Sequence, residues 1–373
     1  MDTKKIGILT FHRAINYGAV LQTFALQNYI SLTEKSQVYV IDFFTKIQEE
    51  SYYNYKRFPF GIKKIIFYLL FYYHRAEKRK QKFDRFVSEK LILSPQKYGD
   101  ELSFLANPPK YDIVISGSDQ VFNPKNKYRK VYYLDYLKRK GERKISYAAS
   151  LGVSSYSSSD EIDIKRMLSD FDALSCRERQ GAKAIQSLGL LVTHVFDPVF
   201  LFNNKEWSRL LNLDKYNDKF NLPDKYIFVY DLNGGSALIK KANQLSLQLG
   251  LPVYCLTYNL LQRYHLKNIY YNLGPEEFLY FISRASFVLT DSFHGTAFSI
   301  IFRKPFFSYI AMKSNSSRLS SLLSTLGLMD RLIEQETDFS NKTIDICYDA
   351  SFDAKLNQYI TVSKSFLKTN IYG

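Results

Sequence analysis

The sequence predicts an α/β protein of two parallel-sheet domains. Three observations carry that prediction: a length of 373 residues, short apolar strands alternating with helix-spaced segments, and polar strings bearing Gly or Ser at the strands' carboxyl ends. A chain this long exceeds one ordinary core. With 46% hydrophobic and 23% charged residues it is a folding sequence, not a disordered one.

Lys4 to Phe11 reads as the first strand. The loop His12 to Ala19 follows, then Val20, Leu21, Phe24, Ala25 and Gln27 to Ile30 at helical spacing, then a strand from Gln37 to Phe43. Such a strand–helix–strand opening makes a right-handed crossover in a parallel sheet. The loop holds a single glycine, Gly18, so the dinucleotide fingerprint GxGxxG is absent; Asn16 and Gly18 can still turn the backbone tightly onto a ligand. Asp112 to Ser116 is a short apolar strand suited to a sheet covered on both faces, and Gly117-Ser118-Asp119-Gln120 follows it as a ligand-edge loop. Lys144 to Ala149 is the next strand, and 160–170 a helix with apolar Ile162, Ile164 and Met167. Ala173 to Arg179 runs from strand into a helix continuing over 181–188. Val192 to Phe196 is a strand stopped by Asp197-Pro198.

From Val199 to Asp224 the pattern loosens into polar sequence around Trp207. That places a linker at 201–224 between an N-terminal domain, 1–200, and a C-terminal domain, 225–373. The second set begins with the strand YIFVYDL from Lys225. Gly234-Gly235 opens a helix to Leu249, and strands follow at Val253 to Leu256, Phe287 to Thr290 and Phe306 to Ile310. Helices are expected at Glu276 to Arg284, Arg318 to Leu326 and about 352–367. Two such domains should face a cleft between their strand ends, where ligands bind in folds of this kind.

The stretch Asp291-Ser292-Phe293-His294-Gly295 breaks the Phe287 strand, and Thr296 is expected to cap an apolar helix over Ala297 to Phe302. A histidine between a strand's carboxyl end and a helix's amino end sits where open α/β sheets bind ligands, and the helix end suits an anion. On geometry alone a ligand-handling His294 and one that merely holds the turn weigh equally. Of the other histidines, His12 is a plausible ligand contact, His74 is expected in solvent, and His194 and His265 are expected to be structural.

The formal charge of +15 is concentrated: residues 51–90 hold eleven Lys or Arg and three acids around the apolar run Ile65 to Tyr73. Nine residues are too few to span a bilayer, which takes about 17–25. Segment 61–85 could instead lie in a membrane interface, with cations among anionic headgroups, or be an ordinary helix packed on a sheet. Nucleic acid is not expected as a partner. Cys176, Cys255 and Cys347 lie far apart, and the amino-terminal IGILTF lacks signal-peptide form, so a cytoplasmic protein is expected. No motif for a metal, a hydrolase elbow or a nucleotide-hydrolysing loop occurs. Metal-free transfer from an anionic donor remains, with arginines binding anions and a histidine handling protons.

An ordered set of segments carries a resemblance: FHRAINYGAVLQTFAL, DIVISGSDQVFN, LSCRERQGAKAIQSLGL, VFDPVFL, and SFHGTAFSIIFRKPF followed by SRLSSLLSTLGL. Over about residues 6–330 the chain resembles the polysaccharide pyruvyl transferase family. That resemblance implies two Rossmann-like parallel-sheet domains facing a cleft, as in the GT-B glycosyltransferases. It also implies phosphoenolpyruvate as donor substrate, no other cofactor, and a sugar acceptor, often lipid-linked, during synthesis of capsule or another surface polymer. The protein would then work in the cytoplasm, with a peripheral place on the membrane's inner face.

Carried over residue by residue, the resemblance implies Arg177, His294 and Arg318 as the groups that hold the donor, with His294 moving protons. Ser292, Gly295 and Thr296 stand beside the histidine as donor contacts. The N-terminal loops would take the acceptor through Asn16, Tyr17, Gly18, Ser116, Gly117, Ser118, Asp119 and Gln120. The chain departs from many members in having Ser292-Phe293-His294 where they have Arg-Leu-His, so one cation is missing; Arg303, Lys304 and Lys313 are the candidates to replace it. Bidentate arginines suit a donor that carries both a carboxylate and a phosphate. The competing readings are a sugar-nucleotide glycosyltransferase of the same fold and a non-catalytic scaffold of polymer assembly.

Overall fold

The computed structural model describes residues 3–33, 36–52, 72–137, 141–153, 155–259, 262, 265–310, 313–339, 343–346 and 348–372. Within these, the chain divides into two compact units. The first is drawn from Met1–Tyr53, Phe86–Leu201 and Lys355–Gly373, and the second from Asn54–Arg85 and Phe202–Ala354.

The first unit is built on a five-stranded parallel sheet of β1 (Lys5–Leu9), β2 (Gln37–Phe43), β3 (Leu93–Tyr98), β4 (Ile113–Ser116) and β5 (Arg143–Ser146), in the order β3-β2-β1-β4-β5. Ile8 pairs with Val40 on one side and Ile115 on the other. Every residue of β4 is buried, so the sheet is covered on both faces, as its unbroken apolar run requires. The chain winds one way from β1 to β2 and the other way to β4, so the topological switch lies between β1 and β4. A small parallel pair, β6 (Ser175–Cys176) and β7 (Thr193–His194), joins through bridges from Ala149 and Ile145.

The second unit holds six parallel strands: β8 (Ile227–Asp231), β9 (Val253–Thr257), β10 (Asn268–Tyr270), β11 (Phe287–Thr290), β12 (Phe306–Tyr309) and β13 (Leu332–Ile333). Their order, β10-β9-β8-β11-β12-β13, puts its switch between β8 and β11. Leu289 pairs with Val229 and Phe307 at the centre of an aliphatic and aromatic core.

Several expectations need correction. The segment 201–224 is not a linker. Asn203 and Glu206 form a reciprocal capping box that starts the helix Asn204–Leu211, and Trp207 is fully buried, edge-on to Phe298 at 5.2 Å. Its polar residues are the cap and outer face of an amphipathic helix. The C-terminal domain does not run to the end either. The helix Ala350–Tyr372 belongs largely to the first unit, where Tyr359 stacks on Phe196 at 5.0 Å and Ser363 Oγ accepts from Phe196 N. Of the apolar residues of the 160–170 helix, Ile162 is 83% exposed, whereas Ile164 and Met167 are buried.

The apolar run Ile65 to Tyr73 lies outside the described residues except for Tyr72 and Tyr73. Of the cations after it, Arg79 is buried, lying over the Tyr258 ring at 4.0 Å and donating to the Tyr271 carbonyl. Lys82 pairs with Glu277. Part of the basic face is therefore fixed into the second unit. Among the described residues no helix is long and apolar enough to cross a membrane.

Candidate functional site

In the second unit, β8 and β11 end side by side on two carboxylates. Asp231 is fully buried, and its Oδ1 accepts from the amides of Gly234 (2.9 Å) and Gly235 (3.2 Å) while Oδ2 accepts from Thr257 Oγ1 (2.9 Å). Asp291 accepts from the amides of Leu232 (2.8 Å) and Asn233 (3.0 Å) and from Asn233 Nδ2. Together they shape the loop 231–235 that leads into the helix Ser236–Leu249. Burial, then the neighbouring Asp291, pushes the Asp231 carboxyl up to about 6; burial likewise raises Asp291. The sequence signal for this pair is an aspartate at the carboxyl end of each of two apolar strands; the sequence reading places Asp231 inside its strand and takes Asp291 as a strand break.

His294 follows from β11. The helix there runs Phe293–Ile301, not Ala297 onward, because Ser292 is its N-cap: Ser292 Oγ accepts from Gly295 N at 3.4 Å, and Ser292 N donates to Thr290 Oγ1. Thr296 is not the cap. Its hydroxyl donates back to the Ser292 carbonyl at 3.0 Å and meets Ser308 Oγ at 2.6 Å. His294 is thus a first-turn residue, 9% exposed, edge-on to the Phe293 ring at 5.1 Å. A Cβ on Gly295 would lie 2.5 Å from Thr290 Oγ1, so the absence of a side chain lets the helix seat against β11. Two helices therefore begin at one switch point, and the positive ends of their dipoles suit an anion.

Arg318 stands half-buried in the helix Lys313–Leu326, which lies against the His294 helix. Of the candidates for the missing cation, Arg303 pairs with Asp353 and lies over the Tyr348 and Phe352 rings. Burial lowers the Lys304 ammonium, which disfavours its charge. The Lys313 side chain falls outside the described residues.

Arg177 belongs to the first unit. It is 4% exposed, its Nε donating to Glu178 Oε1 (2.8 Å) and its Nη1 to Asp197 Oδ2 (2.9 Å). Ser118 Oγ donates to the same Asp197 oxygen at 3.0 Å. The guanidinium charge is thus compensated internally. His12, a plausible ligand contact by sequence, is buried, with Nε2 3.0 Å from Asp42 Oδ1, which also accepts from Arg13. His194 Nε2 holds the Arg177 carbonyl at 3.1 Å. His74 is exposed.

The expected acceptor residues divide in two. Tyr17, Gly18, Ser116, Gly117 and Ser118 are buried, with Ser116 Oγ donating to the Tyr132 carbonyl and Tyr17 and Gly18 already inside the helix Tyr17–Thr33 that Asn16 caps. Asn16, Asp119 and Gln120 instead line a cavity of about 450 Å³ beside the β1/β4 switch. Gln48, Tyr52 and Asn123 also line it, and no sequence pattern singled them out. Asp119 has φ 79° and ψ −178°, a backbone region otherwise confined to glycine that costs about 1–3 kcal/mol. No cluster of His, Cys, Asp or Glu fit for a metal occurs among the described residues.

Two parallel-sheet units of this kind make a GT-B type fold. The chain resembles the UDP-GlcNAc 2-epimerase of Methanocaldococcus jannaschii, in complex with UDP-GlcNAc and UDP, with a TM-score of 0.55 at 13% identity over 100% of both chains. A second UDP-N-acetylglucosamine 2-epimerase structure gives 0.55 at 11% identity over 100% of this chain and 96% of the other. Likeness at such identity concerns the fold. No curated protein matches the sequence. The family is settled by sequence: residues 16–313 match polysaccharide pyruvyl transferase, and the chain belongs to that family of transferases.

Proposed function

We propose that the protein transfers the enolpyruvyl group of phosphoenolpyruvate to a sugar of a lipid-linked surface-polymer precursor, forming a cyclic pyruvate ketal. The observation that carries this reading is His294, held nearly buried in the first turn of a helix at the β8/β11 switch. A small donor with carboxylate and phosphate suits two converging helix amino ends, with Arg318 on the adjacent helix as its guanidinium partner. In this reading His294 delivers a proton to the donor's methylene carbon. A sugar hydroxyl then bonds to C2, the C2–O bond to phosphate breaks, and a second hydroxyl closes the ring. One hydroxyl proton ends on the new methyl group and the other on the released phosphate, so atoms and charge balance.

Arg177, expected to hold the donor, serves here as an internal strut, since taking an anion would mean giving up Asp197 or Glu178. Ser292, Gly295 and Thr296 shape the turn that presents His294. No cofactor is called for. The capsule setting, the cytoplasmic location and a peripheral membrane contact through 61–85 remain part of the same proposal.

The test incubates the protein with phosphoenolpyruvate and a panel of lipid-linked glycans. Mass spectrometry should show an acid-labile ketal and one phosphate released per transfer. His294→Ala should slow turnover by about 10²–10⁴-fold with folding intact. Wild-type turnover in that variant sinks the assignment. A thermal shift with nucleotide sugars but none with phosphoenolpyruvate would favour the glycosyltransferase reading.

A further inference from the structure

Three arginines are buried among the described residues: Arg79, Arg177 and Arg331. Two of them hold carboxylates, Arg177 pairing with Glu178 and Asp197, and Arg331 with Asp330. Arg79 meets none among the described residues. Only the Tyr271 carbonyl accepts from its guanidinium there, through Nη1 at 3.2 Å, and its Nε is buried without an acceptor. A buried charge with no counter-charge is destabilising. The edge left unused, Nε with Nη2, is the one through which Arg13 grips Asp42 by two parallel bonds.

The position of Arg79 points to a ligand. Tyr258, whose ring it covers, follows directly on β9, and Tyr271 follows directly on β10. Both stand at the carboxyl edge of the second unit's sheet, the edge on which His294 follows β11. Thr257 pairs with Asp231 and Thr290 with Tyr230, so Tyr258 lies two strand spacings, roughly 10 Å, along the edge from β11. Arg75, one turn before Arg79 on the helix His74–Lys90, lies over the Tyr271 ring at 5.2 Å. Like charges at that spacing repel, and an anion between them removes the repulsion. The carboxylates of the adjoining elements are engaged elsewhere. Lys82 and Lys219 hold Glu277, Lys215 holds Glu276, and the amides of residues 232–235 take Asp231 and Asp291. Glu77, two positions from Arg79, is on another face of the helix. Arg75, Tyr258 and Tyr271 are each partly exposed, so the guanidinium lies just beneath the surface.

We propose that Arg79 and Arg75 bind a phosphate oxyanion at the carboxyl edge of β9 and β10, with the Nε–Nη2 edge of Arg79 taking two of its oxygens. Phosphate is favoured over a lone carboxylate because its oxygens can accept from both guanidinium groups at once. The site stands independently of the pyruvyl-transfer reading. Under that reading the phosphate is either the donor's or part of a diphosphate that links the acceptor sugar to its lipid.

The experiment titrates the full chain with inorganic pyrophosphate, phosphoenolpyruvate and pyruvate at fixed ionic strength, by calorimetry and by thermal shift. At least one phosphate-bearing probe should bind saturably and raise the unfolding midpoint, and pyruvate should bind at least 10-fold more weakly. Arg79→Gln should weaken the phosphate probe by about 10-fold or more, the scale of a lost charged hydrogen bond. Arg79→Lys, which keeps the charge and loses the fork, should fall between the two and decides the matter if Arg79→Gln does not fold by circular dichroism. Lys78→Gln removes the same charge from an exposed neighbour and should leave binding within twofold. Loss of phosphoenolpyruvate binding in the Arg79 variants assigns the site to the donor, and Arg79 then replaces the cation missing beside His294. Loss of pyrophosphate binding alone assigns it to the acceptor's diphosphate. No phosphate probe bound by the wild type, pyruvate bound as well as the phosphates, or equal binding by the wild type and the folded Arg79 variants would each overturn the proposal. Arg79-dependent phosphate binding without ketal formation would leave the site standing and remove the pyruvyl-transfer reading; ketal formation with phosphate binding indifferent to Arg79 would do the reverse.

Discussion

Gly295 has no room for even one methyl group, since its Cβ would lie 2.5 Å from the Thr290 hydroxyl. Gly295→Ala should therefore push the helix off β11, lowering unfolding free energy by about 1–3 kcal/mol in urea titrations and cutting turnover although His294 is untouched. Asp231 makes a pH prediction. Its carboxyl rises from 3.8 unfolded to about 6 folded, so between those values the native state keeps a proton that the unfolded chain has lost. The stability it contributes is whole below pH 3.8, falls as pH rises, and is gone above about pH 6; the full span is roughly 3 kcal/mol. Asp231→Asn should flatten that slope, and urea midpoints at pH 4, 5 and 7 would expose the opposite result. Single residues were the least legible part of the sequence. His294 stood out as a polar interruption after an apolar strand, but Arg177 and His12 looked equally available. Only their buried carboxylate partners Asp197 and Asp42, distant in sequence, show that they are held.

Elements were read best where burial on both faces leaves an unbroken apolar run. The strand Gln37–Phe43 has the bounds expected, and the strand Phe287–Thr290 likewise. β3, with Pro95 and polar Gln96 and Lys97, escaped notice because an edge strand need not be apolar. The helix around Trp207 was missed because capping residues and linker residues are the same amino acids, Asn and Glu among them. Its place in the core predicts that Trp207→Ala costs about 3–5 kcal/mol, seen as a lower denaturation midpoint. A cost below 1 kcal/mol would restore the linker reading.

At the scale of the whole molecule, two α/β sets were legible from the alternation of strands and helices, whereas the return of the chain was not. An amphipathic pattern in the last helix says that it packs, not on what. Phe366, Leu367 and Ile371 are buried in the first unit, so a chain ending at residue 354 should leave that unit without its aromatic cover. Such a truncation is expected to be cleaved rapidly in the first unit by limited proteolysis; full resistance there would contradict the assignment.

The three-part construction of the first unit also sets an order of events at the ribosome. Residues 355–373 emerge only after roughly 150 residues of the second unit have been made, an interval of about 8–30 s at ordinary elongation rates. During that delay the seat for Tyr359 and Phe366 stands open to water, a nascent surface for a holding chaperone. A chain cut short before Tyr359 would then carry a first unit that never finishes folding.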